Sequence, residues 1–340
     1  MIGQMLSAST RISGRVDASV FAGGDNMLPV QHTLDTPYVV GPVHCYSTEL
    51  AGELILFDTG PPTEEAKQVL TNTLDLPRLK HVVVTHCHID HYGLSRWLEQ
   101  ETDAVVYLPF RDHLKITRHE QRLEQLYELM IQLGFDRDFL VNLHSNMQDG
   151  SVFPTLPESY RIVEEDLPEH LGLEALSCPG HSQSDLVLVG DNWAVTGDVM
   201  LRGIFQTPLL DVDLLTEQRF RNYDAYCDSL IKLAGLRNKE ILPGHRETID
   251  SVDGCILFYV GKLLERTRRV AGLPRGLSVA ELVARLFGTG HENPFVTYLK
   301  ASEVVFIRDF LVQPERLQNA LEQIGLLSGL ENKFARLNGY

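Results

Sequence analysis

The sequence predicts an α/β protein, and three observations carry that prediction. Short apolar runs of the kind that form buried strands alternate with stretches at helical spacing. Several of those runs end in a turn that contains glycine together with histidine or aspartate, the usual place for functional side chains in α/β proteins. The chain has 340 residues, 44% of them hydrophobic and 22% charged, which is ordinary for a globular protein able to bury a full core.

The elements follow in order. Residues Met1 to Leu50 suit β-rich entry strands, with turns at Pro37-Tyr38 or Gly41-Pro42. Glu53 to Phe57 suits a strand that ends in Asp58-Thr59-Gly60. A helix capped by Thr63, with Glu64 and Glu65 in its first turn, then runs through Leu70 or Leu74. The apolar run Val82-Val83-Val84 is the next strand, followed by a polar turn, a helix containing Trp97 and a strand from Ala104 to Leu108. Between Phe110 and Tyr160 the rhythm changes: Leu123, Leu126, Tyr127, Met130 and Leu133 lie at three- and four-residue steps, one apolar helix face. Strand-like runs return at Leu173–Leu176, around Trp193–Val195 and at Glu240–Leu242, with a helix expected from Glu217 to Leu233. A further helix presents Ile256, Leu257, Val260, Leu263 and Leu264 before the break at Gly272-Leu273-Pro274. Ser278 caps a helix over Val279 to Phe287, and helical runs follow at Val304 to Leu311 and Pro314 to Ile324.

The chemistry concentrates in Thr85-His86-Cys87-His88-Ile89-Asp90-His91, a strand-to-helix turn with three imidazoles and a carboxylate. On an extended chain, side chains two apart share a face, so His86 and His88 can hold one ion. Asp90 and His91 follow where the turn re-aims them, suited to a second ion. His181 in Cys178-Pro179-Gly180-His181, Asp198 in Thr196-Gly197-Asp198 and His245 in Pro243-Gly244-His245 repeat the strand-then-glycine arrangement.

In these residues the chain resembles the metallo-β-lactamase-fold hydrolase superfamily, over roughly Val39 to Arg246. The resemblance implies an αββα sandwich, two β-sheets face to face with helices outside. It implies one metal on His86, His88 and His181, another on Asp90, His91 and His245, and Asp198 between the two. Asp58 would support the ligand turn, and Ser182 would hydrogen-bond near His181. Two divalent ions follow, zinc first, with iron and manganese as alternatives. The histidine at position 88 places the chain with the hydrolytic members, similar to glyoxalase II and acyl-thioesterases. The expected activity is ester or thioester hydrolysis of a small acyl substrate, with phosphodiesterase, nuclease or lactonase activity and a non-catalytic metal-binding module as alternatives. Asp90 has a second expected role as proton donor to the leaving group.

The resemblance also divides the chain: a catalytic domain over 1–272 with a helical lid at 110–160, and a helical, winged-helix-like extension over 273–340 that is structural or dimerising. Tyr127 and Met130 on the lid, and Arg202 after Asp198, are the candidate substrate contacts. Changes in the lid are expected to alter substrate choice and leave the metal pair intact. The net charge of −16 argues against a nucleic-acid partner, and Arg266-Thr267-Arg268-Arg269 is expected to be one solvated helix face. No apolar run is long enough to span a bilayer. Five scattered cysteines and a polar N-terminus without a signal pattern fit a cytoplasmic protein with reduced thiols.

Overall fold

The structure is a computed structural model that describes residues 27–38, 40–148, 155–288 and 293–337, with the side chains of 144–148 outside the description. The first sheet begins with β1 (Val30–Leu34), β2 (Val43–Leu50) and β3 (Glu53–Phe57), an antiparallel run. Helix α1 (Glu64–Thr73) then crosses back. The Thr63 hydroxyl accepts from Ala66 N–H at 3.2 Å, and Ala66 and Leu70 are its buried face, as its cap and spacing require. Next come β4 (Leu79–Val83), the single turn α2 (Ile89–Tyr92), α3 (Ser95–Glu101) and β5 (Val105–Leu108). The insertion forms α4 (Phe110–Thr117), α5 (His119–Gln132) and α6 (Arg137–Gln148). The chain closes the sheet with β6 (Arg161–Ile162), so that β3, β4, β5 and β6 run parallel.

After a short turn of helix, α7 (Val163–Asp166), the second sheet is built from β7 (Glu174–Ser177), β8 (Leu186–Val189) and β9 (Trp193–Gly197). A small ribbon of β10 (Val212–Asp213) and β11 (Gln218–Arg219) precedes α8 (Asn222–Ala234) and β12 (Glu240–Pro243). The order is β12-β9-β8-β7, with β12 parallel to β9. Helices end the chain: α9 (Val252–Ala271), α10 (Val279–Phe287), α11 (Pro294–Val312), α12 (Pro314–Gln323) and α13 (Glu331–Ala335). Ser278 and Glu281 form a reciprocal capping box at the start of α10.

Three apolar layers make this an αββα sandwich. Ile55, Phe57, Val83 and Tyr107 of the first sheet meet Leu186, Leu188, Trp193 and Leu242 of the second. Leu56, Val82, Val106 and Leu108 face outward against Ala66, Leu70 and Leu98 of α1 and α3. The far face of the second sheet, with Val187, Ala194 and Ile241, carries the insertion, α8, α9 and the tail in one continuous cluster.

That cluster spans the insertion and the tail. The insertion and the tail share a core: Leu126, Met130 and Leu140 pack in the same cluster as Val279, Leu282 and Tyr298, and Ala280 N–H donates to the Leu133 carbonyl. The described residues of the tail are helical, so no wing of strands accompanies them there. The expected helix from Glu217 begins only at Asn222, because Gln218–Arg219 pairs with Val212–Asp213 and Glu217 takes a left-handed φ of 56° in the connecting turn. The Pro-containing stretch Ser151 to Pro157, whose sequence suits an extended return to the sheet, lies largely outside the described residues.

Met130 is fully buried, which removes it as a substrate contact: it has no surface to offer a ligand. Tyr127 is half-buried on the same cluster. Truncating Met130→Ala is therefore expected to cost about 2–5 kcal/mol of stability, as deletions of large buried side chains do, with substrate rank order unchanged. Urea unfolding and a substrate panel check this. Altered selectivity at unchanged stability would return Met130 to the pocket.

Candidate metal centre

Strand ends supply the site. The turn after β4 carries His86 to His91, the loop between β7 and β8 carries His181, β9 leads into Asp198, and β12 leads into His245. At this end the two sheets are stitched together: Leu186 N–H donates to the Thr85 carbonyl at 3.0 Å and His44 N–H to the Gly244 carbonyl at 2.7 Å. Close approach requires glycine at 244. A Cβ there would lie 2.6 Å from His91 Cε1 and 2.9 Å from Asp198 Oδ1, inside van der Waals contact.

Ligand atoms of His86, His88, His181 and Asp198 lie within 4.8 Å of one another, and so do those of Asp90, His91 and His245. These are the residues singled out by the sequence, with Asp198 falling in the first group. His245 Nε2 is 3.3 Å from Asp90 Oδ2 and 3.6 Å from Asp198 Oδ1. Asp198 stands between the groups, Oδ1 3.4 Å from His91 Nε2 and Oδ2 3.8 Å from His181 Nε2.

Hydrogen bonds on the outer side of each ring decide what faces inward. His245 Nδ1–H donates to the Pro42 carbonyl at 2.7 Å and His181 Nδ1–H to the Thr207 carbonyl at 2.8 Å. His91 Nδ1–H donates to Asp58 Oδ2 at 2.8 Å. The Thr85 hydroxyl gives its proton to Asp58 Oδ2 and so accepts from His86 Nδ1 at 3.1 Å. All four rings therefore aim Nε2 into the site, because an outer hydrogen bond of this kind orients a metal-binding ring. His88 Nδ1 sits 2.8 Å from His86 Nε2 and 3.2 Å from His181 Nε2. One proton there serves one neighbour at a time, whereas a cation serves all three.

His91 Nε2, His245 Nε2 and Asp198 Oδ1 are buried without a hydrogen-bond partner. Leaving such atoms unpaired is costly, and three aimed into one space fit a bound cation. The electrostatics agree. Burial holds His86 well below its usual range, with His91 and His88 adding to the effect. Burial, with His181 beside it, brings His88 to about 3, so both rings are in the neutral, ligating form. Burial alone would lower His91, but Asp198 and Asp58 hold it well above its usual value. Burial would raise Asp198, yet His91 and His245 hold it well below the carboxylate range. Positive charge is favoured between these groups.

Asp58 anchors the turn from behind. It is buried at a left-handed φ of 58°, and its carboxylate accepts from Thr85 N–H at 2.7 Å, the Thr85 hydroxyl at 2.9 Å and His91 Nδ1–H. Ser182 donates to Asp185 Oδ1 at 2.6 Å and contacts Ser184 at 3.1 Å, holding the His181 loop. Arg202 is placed elsewhere: it is half exposed and bound by Asp250, Glu247 and the Thr248 carbonyl. Cys87 packs against the apolar cluster under α1 and α3, and burial pushes its thiol far up. His113 bonds the Tyr160 hydroxyl at 2.7 Å and is a packing residue. The sequence reading missed the Pro42 and Thr207 carbonyls, which any residue could supply, and Asp112, whose carboxylate accepts from Cys87 N–H at 2.6 Å.

Comparison with known proteins agrees with this geometry. The family model of the Metallo-beta-lactamase superfamily matches residues 38–245. The probable metallo-hydrolase YqjP of Bacillus subtilis is 26% identical over 308 residues, covering 84% of this chain and 93% of that protein. Ribonuclease Z of Streptococcus thermophilus is 26% identical over 147 residues, 38% of this chain and 46% of that one. Among solved structures, a metallo-beta-lactamase family protein of Thermus thermophilus superposes with a TM-score of 0.65 and 22% identity over 83% of this chain and 93% of that chain, a shared fold. The chain belongs to the metallo-beta-lactamase superfamily, and its two groups of ligand side chains form a site suited to two metal ions.

Proposed function

We propose that the protein is a metal-dependent hydrolase that cleaves a carboxylic ester or thioester of a small acyl substrate. The observation that carries the hydrolase reading is the inward convergence of histidine ring nitrogens on an unpaired, buried Asp198 oxygen. His86, His88 and His181 would hold one divalent ion and Asp90, His91 and His245 the other, with Asp198 shared. The nitrogen and carboxylate donor set suits zinc, with iron and manganese the alternatives. Bound there, such ions supply Lewis acidity and acidify water towards neutrality.

The chain's own residues fix the rest. Neither candidate for a covalent nucleophile near the site is free to act as one: the Ser182 hydroxyl is committed to Asp185, and the Cys87 thiol is kept protonated. Water is thus the attacking group. Asp90 is buried beside His245; burial pushes its carboxyl up, but His245 and His91 hold it below the usual range. Its place beside His245 is the one from which a carboxylate would pass a proton to the leaving group.

Charge supports an acyl over a polyanionic substrate, since a chain of net charge −16 repels nucleic acid. The partial likeness to ribonuclease Z supports a second reading, phosphodiester hydrolysis. A panel of aryl ester, acyl-CoA, lactone, β-lactam and bis-aryl phosphate, run with metal-reconstituted protein, separates them. Turnover of the ester or thioester is expected, and turnover of the phosphodiester alone would reverse the ranking.

A further inference from the structure

Asp58 and Asp112 are buried carboxylates behind the metal centre, and of these the sequence pointed only to Asp58. Asp58 ties Thr85 and His91 together. Asp112 comes from α4, in the insertion, and is 2% exposed. Its Oδ2 accepts from Cys87 N–H at 2.6 Å, in the stretch between His86 and His88. Its Oδ1 accepts from the Ser184 hydroxyl at 2.6 Å. Ser184 in turn contacts Ser182 at 3.1 Å, next to His181 in the chain. One carboxylate thereby joins the two loops that carry His86, His88 and His181.

The surroundings keep Asp112 charged and still. Lys115, one helical turn on, is 2.8 Å from Asp112 Oδ1, 3.2 Å from Ser184 Oγ and 3.8 Å from Asp211 Oδ2. Arg122 of α5 reaches Asp211 Oδ1 at 2.8 Å, and Gln183 reaches Asp211 Oδ2 at 2.8 Å. The insertion is therefore wired by charge to the ligand loops, and its role exceeds that of a cover over the substrate.

We infer that Asp112 is a positioning residue for the His86/His88/His181 group, setting its metal affinity selectively. This inference rests on the dinuclear reading of the site and adds that the insertion is part of the metal-binding apparatus. Outer partners of this kind typically change metal affinity 10- to 100-fold when removed. Asp58 reaches both groups, His91 directly and His86 through the Thr85 hydroxyl, whereas the Asp112 contacts run to Cys87 N–H, Ser184 and Lys115, so the asymmetric effect is expected of Asp112.

Single-site backgrounds test it without recourse to activity. His245→Ala leaves the His86/His88/His181 group intact, and His181→Ala leaves Asp90, His91 and His245. Cobalt(II) is titrated into each metal-free protein in competition with a chromophoric chelator, and the fold is checked by circular dichroism. Asp112→Ala is expected to weaken binding about 10- to 100-fold in the His245→Ala background, and less than about threefold in the His181→Ala background. Ser184→Ala, which cuts only the branch to the His181 loop, is expected to give the same asymmetry at smaller size, and stands in if Asp112→Ala fails to fold. Equal losses in both backgrounds, or none, would overturn the inference while leaving the metal centre in place. A wild-type chain that binds no cobalt would overturn the dinuclear reading and this inference with it.

Discussion

Replacing Asp198 by alanine is expected to lower kcat/KM by about a thousandfold or more, equivalent to about 4 kcal/mol of transition-state stabilisation. Asp198 is the carboxylate placed between both ligand groups, facing His91 and His245 with one oxygen and His181 with the other. Alanine would remove the carboxylate proposed to be shared by the two ions. Ser182→Ala and Cys87→Ala should have far smaller effects, because the serine braces a loop and the thiol packs on the apolar cluster. Steady-state kinetics on the three variants decide the matter. If the serine or cysteine variant were the inactive one, a covalent nucleophile would have to replace attack by water.

Asp58→Ala is expected to destabilise the protein by about 3–5 kcal/mol, the range for removing one partner of a buried charged pair. Three donors lose their acceptor at once: Thr85 N–H, the Thr85 hydroxyl and His91 Nδ1–H. The residue also sits at a left-handed φ of 58°, which aspartate tolerates better than alanine. His91 would then be free to turn, and affinity for the ion it faces should fall roughly 10- to 100-fold. Thermal melting of the metal-free protein measures the first effect and metal titration the second. A variant with wild-type melting and wild-type affinity would show that the turn holds its shape without this anchor.

The candidate metal centre was legible in the sequence because each of its residues announces itself locally. A strand ends, a glycine follows or precedes, and a histidine or aspartate stands at the mouth; His86 to His91, His181, Asp198 and His245 all obey this rule. Helix caps were legible for the same reason, as Thr63 and Ser278 show. What the sequence did not display depends on distant partners. The face of α5 read correctly as apolar, but the pattern does not say whether such a face covers a substrate or a core, and Met130 went to the core. The tail looked separable after Gly272, yet its helices complete the same cluster as the insertion. Residues 217–221 carry a helix-compatible pattern, and only pairing with Val212–Asp213 makes them a ribbon and turn. Asp112 lies in Arg111-Asp112-His113-Leu114-Lys115, which reads as an ordinary solvated helix turn. Its importance comes from burial against the ligand loops.

The central claim is that the histidines and aspartates gathered at the strand ends hold two divalent ions. Elemental analysis of the protein after purification without chelators tests this most directly. About two equivalents of transition metal per chain are expected, falling towards one in His245→Ala. A content near zero that excess zinc, manganese or iron fails to restore would contradict the account.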